Sequence, residues 1–172
     1  MTGSSVGATI ACIGCGAHVP DVDGPTHAYI GASPGCWAVY GELLAGEYLD
    51  RDRGAMQRLT VDAYAAQHPG VAGRQSSQSV WVHLVGLCLA LEAAQPADRT
   101  TALMARFVGS RKDLPWLEPP ASLGDRTVID VRAAVGIDAY HQAVAEWAAA
   151  TWVAWESHHE TIRAEVVELL GV

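Results

Sequence analysis

The stretch from Val80 to Leu91 is almost continuously apolar and sits inside a longer segment, about Ser77 to Ala94. A helix of that composition has no broad polar face to turn to water, so it implies burial on more than one side. Other segments carry helix spacing and helix formers around it, which excludes a wholly β fold. Ser33-Pro34 reads as an N-cap followed by proline at the first helical position. It opens a helix to about Leu49, with Trp37, Tyr40, Leu44 and Tyr48 near one face, closed by Asp50 to Gly54. A shorter helix covers Thr60 to about Gln67, stopped by Pro69-Gly70. Another spans about Ala97 to Val108, and the last and longest runs from about Asp138 to Leu170. Between these two, Pro115, Pro119, Pro120 and Gly124 mark a long surface loop placed to cover one end of the bundle. Thr127 to Val131 reads as a short strand or a helical turn. The expectation is a mainly α fold, a four- to five-helix bundle over residues 34–172, in a single domain of residues 1–172.

Residues 1–33 are different. They are rich in Gly, Pro, Asp and Ser, show little periodicity, and need something other than helix to hold them. Cys12-Ile-Gly-Cys15-Gly16 supplies a candidate. Two thiols two residues apart, followed by glycine, form a zinc-knuckle turn that aims both sulfurs at one ion. One such pair is half a site, and His18, His27 and Cys36 lie downstream. Cys12, Cys15, His27 and Cys36 would make a closed Cys3His zinc site that orders a segment poor in helix. The competing readings are two incidental thiols, or a redox dithiol, which lacks the expected strand before it and helix after it.

The remaining candidates lie on helices. His68, His83, His158 and His159 fall on or at the ends of predicted helices, and a bundle core can converge imidazoles on one divalent ion. Neighbouring helical residues point about 100° apart, so only one of His158 and His159 is expected to join such a site. His159 shares an apolar stripe with Ala148, Trp152, Trp155, Ile162 and Val166. Asp62 is the candidate catalytic carboxylate, as general base or as orienter of a metal-bound imidazole, or else a helix-start carboxylate. Glu156-x-x-His159 has di-iron spacing, but Asp138-x-x-His141 is a poor second copy. The six tryptophans read first as core, and Cys88 as a buried small hydrophobe. A third arrangement merges the two sets, with Cys36 joining the histidines.

Charge excludes some partners. Eleven Lys and Arg against 19 Asp and Glu give a formal net charge of −8, the wrong sign for nucleic acid or an anionic membrane surface. A small-molecule ligand remains an open partner class. With 50% hydrophobic and 17% charged residues the chain is not a disordered type. No run suits a membrane span, and the start has no positive region before its short apolar stretch, so a cytoplasmic location is expected. Thiols there read as ligands, reactive groups or core residues before disulfides. Lys112, the single lysine, reads as part of an exposed turn and is the lone candidate for Schiff-base chemistry. H-E-x-x-H, P-loop, G-x-S-x-G and G-x-G-x-x-G patterns are absent.

The chain resembles a group of bacterial domains of unknown function. The pattern is carried by Cys12-Ile-Gly-Cys15-Gly16, Gly24-Pro25-Thr26-His27 and Ser33-Pro34-Gly35-Cys36-Trp37. It continues through Val61-Asp62-Ala63-Tyr64-Ala65-Ala66-Gln67-His68-Pro69-Gly70, Ser79-Val80-Trp81-Val82-His83-Leu84 and Trp155-Glu156-Ser157-His158-His159. This resemblance adds weight to those residues without naming a reaction. A weaker similarity is to DinB-like bundles, which hold a divalent ion with three histidines and include thiol-dependent transferases and metal-assisted hydrolases. It implies His83 and His159 as two ligands. The usual His-x-x-x-His on the last helix is absent, so His68 would supply the third. The sequence therefore leads to a metal-binding helical protein. An open site would mean metal-dependent hydrolysis or group transfer, and a closed one a non-catalytic, zinc-stabilised binding protein.

Overall fold

The computed structural model describes residues 7–111 and 113–171. Lys112 and the first six residues, with the expectations attached to them, lie outside the described residues. The described residues form a small hairpin followed by eight α-helices, so the mainly α expectation holds. Strands β1 (Thr9–Ala11) and β2 (His18–Pro20) pair antiparallel, with Ile10 opposite Val19. The segment read as irregular thus contains a ladder, and the Cys12–Cys15 knuckle is the turn between its strands. Cys12 N–H donates to Ala17 O at 2.8 Å and Gly16 N–H to Cys12 O at 3.0 Å. Gly16 takes φ of 73°, a left-handed value that favours glycine.

Helix α1 (Pro34–Leu49) starts at the expected proline. Its N-cap residue Ser33 makes no side-chain cap, because its hydroxyl accepts from Ile13 N–H at 2.9 Å instead. Asp50 leaves the helical conformation and caps α2 (Arg51–Gly54) through Asp52 and Arg53 N–H. Helix α3 (Gln57–Gln67) ends at His68, which precedes Pro69 and takes φ of −128°. Gly70 follows with φ of 73°.

Helix α4 (Arg74–Leu91) is the central element, in contact with α3, with α5 (Ala97–Ser110), and with two later helices that cover Ile137–Ala154 and His159–Leu170. Ten of its residues are buried, from Ser76 to Leu89, as an apolar run without a polar face requires. Gly86 lets α4 approach α3, since a Cβ there would collide with the Asp62 carboxylate.

Thr127 opens a helical turn, α6 (Val128–Ala133), with a capping box in which Asp130 accepts from Thr127 N–H. The loop before it is held by Gln67, a fully buried side chain whose amide donates to Leu123 O and Arg126 O. Gln67 Oε1 accepts from Trp147 Nε1–H at 2.9 Å.

The expected single last helix is broken. It comprises α7 (Ile137–Ala154), a 3-10 turn (Glu156–His158) and α8 (His159–Leu170). Trp155 leaves helical geometry at φ −89° and ψ 18°, and its indole N–H donates to Ala66 O at 3.1 Å. His159 donates through Nε2 to Trp152 O at 2.8 Å and stacks on the Trp152 ring. The break thus has one of its carbonyls, Trp152 O, satisfied by a side chain. Trp81, Trp147, Trp152 and Trp155 are buried, as is Cys88, in agreement with their reading as core. No described helix is long and apolar enough to cross a membrane.

Candidate metal centre

The hairpin turn, the first turn of α1 and the end of α3 meet at one point. Each brings donor atoms there. The turn supplies Cys12 and Cys15, α1 supplies Cys36, and the residue after α3 supplies His68. The four donor atoms lie within 4.8 Å of one another. A tetrahedron of zinc–sulfur bonds of about 2.3 Å has edges of about 3.8 Å. The observed separations are 3.4 Å for Cys36 Sγ to His68 Nε2, 3.7 Å for Cys12 Sγ to His68 Nε2 and 3.9 Å between Cys15 and Cys36 sulfurs. This donor set fits a divalent ion.

Local structure fixes each donor. His68 donates through Nδ1 to Tyr64 O at 2.7 Å, one turn back on α3, which turns Nε2 to the sulfurs. Ser33 N–H donates to Cys12 Sγ at 3.4 Å, and Tyr64 O–H to Cys36 Sγ at 3.6 Å. Gly14 packs so closely that a Cβ would collide with Gly31 O and the His68 ring. Cys12, Cys36 and His68 are buried and Cys15 is half-buried.

Electrostatics favour a cation here. Hydrogen bonds from the Cys15 and Cys36 thiols hold Cys12 far below the ordinary thiol range, against its burial. The Cys12 and Cys15 hydrogen bonds, with burial, push Cys36 far up. Burial alone would lower His68, but hydrogen bonds to Cys12 and Cys15 outweigh it and raise it to about 9. The shifts run in opposite directions within the cluster, Cys12 down and Cys36 up, because the sulfurs compete for the same negative charge. Further thiolates need a positive ion between them.

The other candidates are distributed differently. His27 lies outside the cluster, packed edge-on to Tyr29 and tilted against Trp37. The fourth position near the three sulfurs is held by His68 instead, and the expected arrangement in which Cys36 joins the histidines is not formed. His18 is exposed on β2. His68, His83, His158 and His159 do not converge. Among the described residues the Cys12–Cys15–Cys36–His68 group is the one metal-like cluster. His158 donates through Nε2 to Glu118 O at 2.9 Å. His83 donates through Nδ1 to Asp62 Oδ1 at 2.7 Å. Asp62 is fully buried, not at an exposed helix start, and also binds Arg58, through Nε at 3.0 Å and through Nη2. Sequence reasoning missed Arg58, whose i,i+4 spacing to Asp62 was the available signal. It also missed Tyr64 and Ser33 as partners of the sulfurs, for which the sequence carries no signal.

A mainly helical protein with a Cys3His cluster at the foot of an N-terminal hairpin is the class these features define. The chain belongs to a family of unknown function, DUF5946, whose model matches residues 10–156. That span contains the four clustered residues together with Arg58, Asp62 and His83. No curated protein matches the chain, and no solved structure does.

Proposed function

We propose that Cys12, Cys15, Cys36 and His68 bind one Zn2+, and that the ion pins the hairpin to α1 and α3 in a non-catalytic, zinc-stabilised binding protein. The observation that carries this reading is the count and spacing of donors, four protein atoms within 4.8 Å of one another. A closed set of four leaves no position for a substrate or an activated water, which argues against a metal-dependent hydrolase or transferase. Three thiols and one imidazole suit zinc, a soft-tolerant ion without geometric preference of its own. The hairpin itself is short, with two strands of three residues each. Two-stranded hairpins are marginal in water by themselves.

The experiment is metal analysis of the purified protein, joined to thermal melting before and after chelation. One zinc per chain, and a melting temperature that falls on chelation and recovers with Zn2+, supports the reading. A chain that holds no metal at full stability, or a metal that leaves without thermal effect, overturns it.

A further inference from the structure

The Arg58–Asp62–His83 group stands apart from the four metal-binding candidates and opens on a cleft. The Asp62 carboxylate is fully buried between α3 and α4, in space that Gly86 leaves free. A buried carboxylate is costly unless fully partnered. Arg58 and His83 partner it from two sides. Because a carboxylate only accepts, His83 carries its proton on Nδ1. The lone pair of the neutral ring is then on Nε2, which has no protein hydrogen-bond partner among the described residues. The His83 side chain keeps 17% of its surface exposed.

That ring borders two adjoining hollows. One, about 150 Å³, is lined by His27, Trp37, Tyr29, Tyr40 and Tyr64. The other, about 270 Å³, is lined by Gln75, Gln78 and Val82. Tyr29, Ser79 and His83 line both. Tyr40 and Tyr64 already stack face to face, with ring centroids 3.8 Å apart, and Trp37 tilts against both. An open, aromatic-walled hollow bordered by His27 and by the oriented acceptor of His83, with amides beyond, has the composition of a small-molecule site.

We propose that this cleft binds a planar aromatic ligand that donates an O–H or N–H hydrogen bond to His83 Nε2. Aromatic rings of the wall pack the ligand, and Gln75 and Gln78 meet polar groups at its outer end. Asp62 does not touch the ligand. It is a positioning residue that fixes the tautomer of His83 and so the side of the ring that accepts. Arg58 donates to both oxygens of that carboxylate and holds it in place. Tyr64 links the two sites, since it lines this cleft and donates to Cys36 Sγ, so the test is run on protein of measured zinc content.

The test uses the full-length protein and two probes, phenol and its methyl ether anisole, which differ in the donor. Histidine-selective 15N NMR follows the His83 Nε2 signal during each titration. Phenol is expected to bind in the millimolar range, move that signal, and bind about fivefold more tightly than anisole, the worth of one net hydrogen bond. His83→Phe keeps the ring, removes the acceptor and should bring the two affinities together. His83→Gln, which restores an acceptor, guards against a folding defect in the first variant. Equal binding of both probes to the wild type, or no shift of His83 Nε2 up to the solubility limit of phenol, overturns the proposal. Zinc content, measured on the same samples, reports the other site separately.

Discussion

His68 Nε2 lies 3.4 Å from Cys36 Sγ across 32 residues of chain, so the end of α3 and the start of α1 are joined at one donor pair. The same imidazole approaches Cys12 Sγ at 3.7 Å, across 56 residues. The side chains at their ends face the sulfurs of a hairpin turn that precedes both.

The first prediction separates the two histidines that sequence spacing offers for the fourth position. His68→Ala should lower zinc content well below one per chain and reduce the melting temperature by about 5–15 °C, the effect of losing about 2–5 kcal/mol in a domain of this size. His27→Ala should leave zinc content unchanged, since His27 packs against Tyr29 and Trp37 instead of the sulfurs. Metal analysis with calorimetry of both variants checks this. Zinc loss in the His27 variant alone would exchange their roles.

A second prediction concerns Gly14. Its added methyl group in Gly14→Ala would meet backbone oxygen of Gly31 on one side and the His68 ring on the other. Backbone cannot yield as a flexible side chain does, so the knuckle must shift. The variant should lose about 1–3 kcal/mol of stability and release zinc faster to a chelator. Wild-type release kinetics in this variant would contradict the packing.

A third prediction rests on Glu47, buried where α1, α3 and α7 meet. Its Oε1 accepts from Thr60 and Tyr140 hydroxyls, both at 2.6 Å, while Oε2 has no partner. Burial raises its carboxyl above the ordinary value of 4.5. A carboxyl raised in the folded state contributes stability that is fully present below 4.5 and is lost as pH rises through the folded value. Glu47→Gln keeps an acceptor oxygen and has no charge to bury. Its stability relative to wild type should therefore improve from pH 4 to pH 8, which urea denaturation across that range measures. A difference that does not change with pH would show that Glu47 is not the group involved.

A fourth prediction addresses the loop before α6. Gln67→Leu removes an acceptor for Trp147 and the donor to two carbonyls, and leaves the indole unpaired in the core and the carbonyls unpaired where they are part-buried. The cost should reach about 3–5 kcal/mol. Protease cleavage between residues 113 and 127 should speed up in the variant, whereas an unchanged cleavage rate would mean the loop is held elsewhere.

Much of this architecture was legible because its signals are local. Proline at position 34 and proline at position 69 bound their helices, and the apolar run of α4 announces its burial on several sides. The Cys12–Cys15 pair and Cys36 were legible as thiols that belong together. The identity of the fourth donor was not, since His27 lies nearer in sequence and only the fold brings His68 to the sulfurs. The break at Trp155 was equally hidden. No proline or glycine marks it, and it follows from an indole hydrogen bond to Ala66 on another helix. Asp62 and His83 were visible as separate candidates. Their pairing depends on Gly86 leaving room between α3 and α4.

The most direct measurement is zinc K-edge X-ray absorption on the purified protein. The account predicts a shell of three sulfurs at about 2.3 Å and one nitrogen at about 2.0–2.1 Å, with no oxygen ligand. A shell with two or fewer sulfurs, or one completed by a water oxygen, would contradict a closed centre made by Cys12, Cys15, Cys36 and His68.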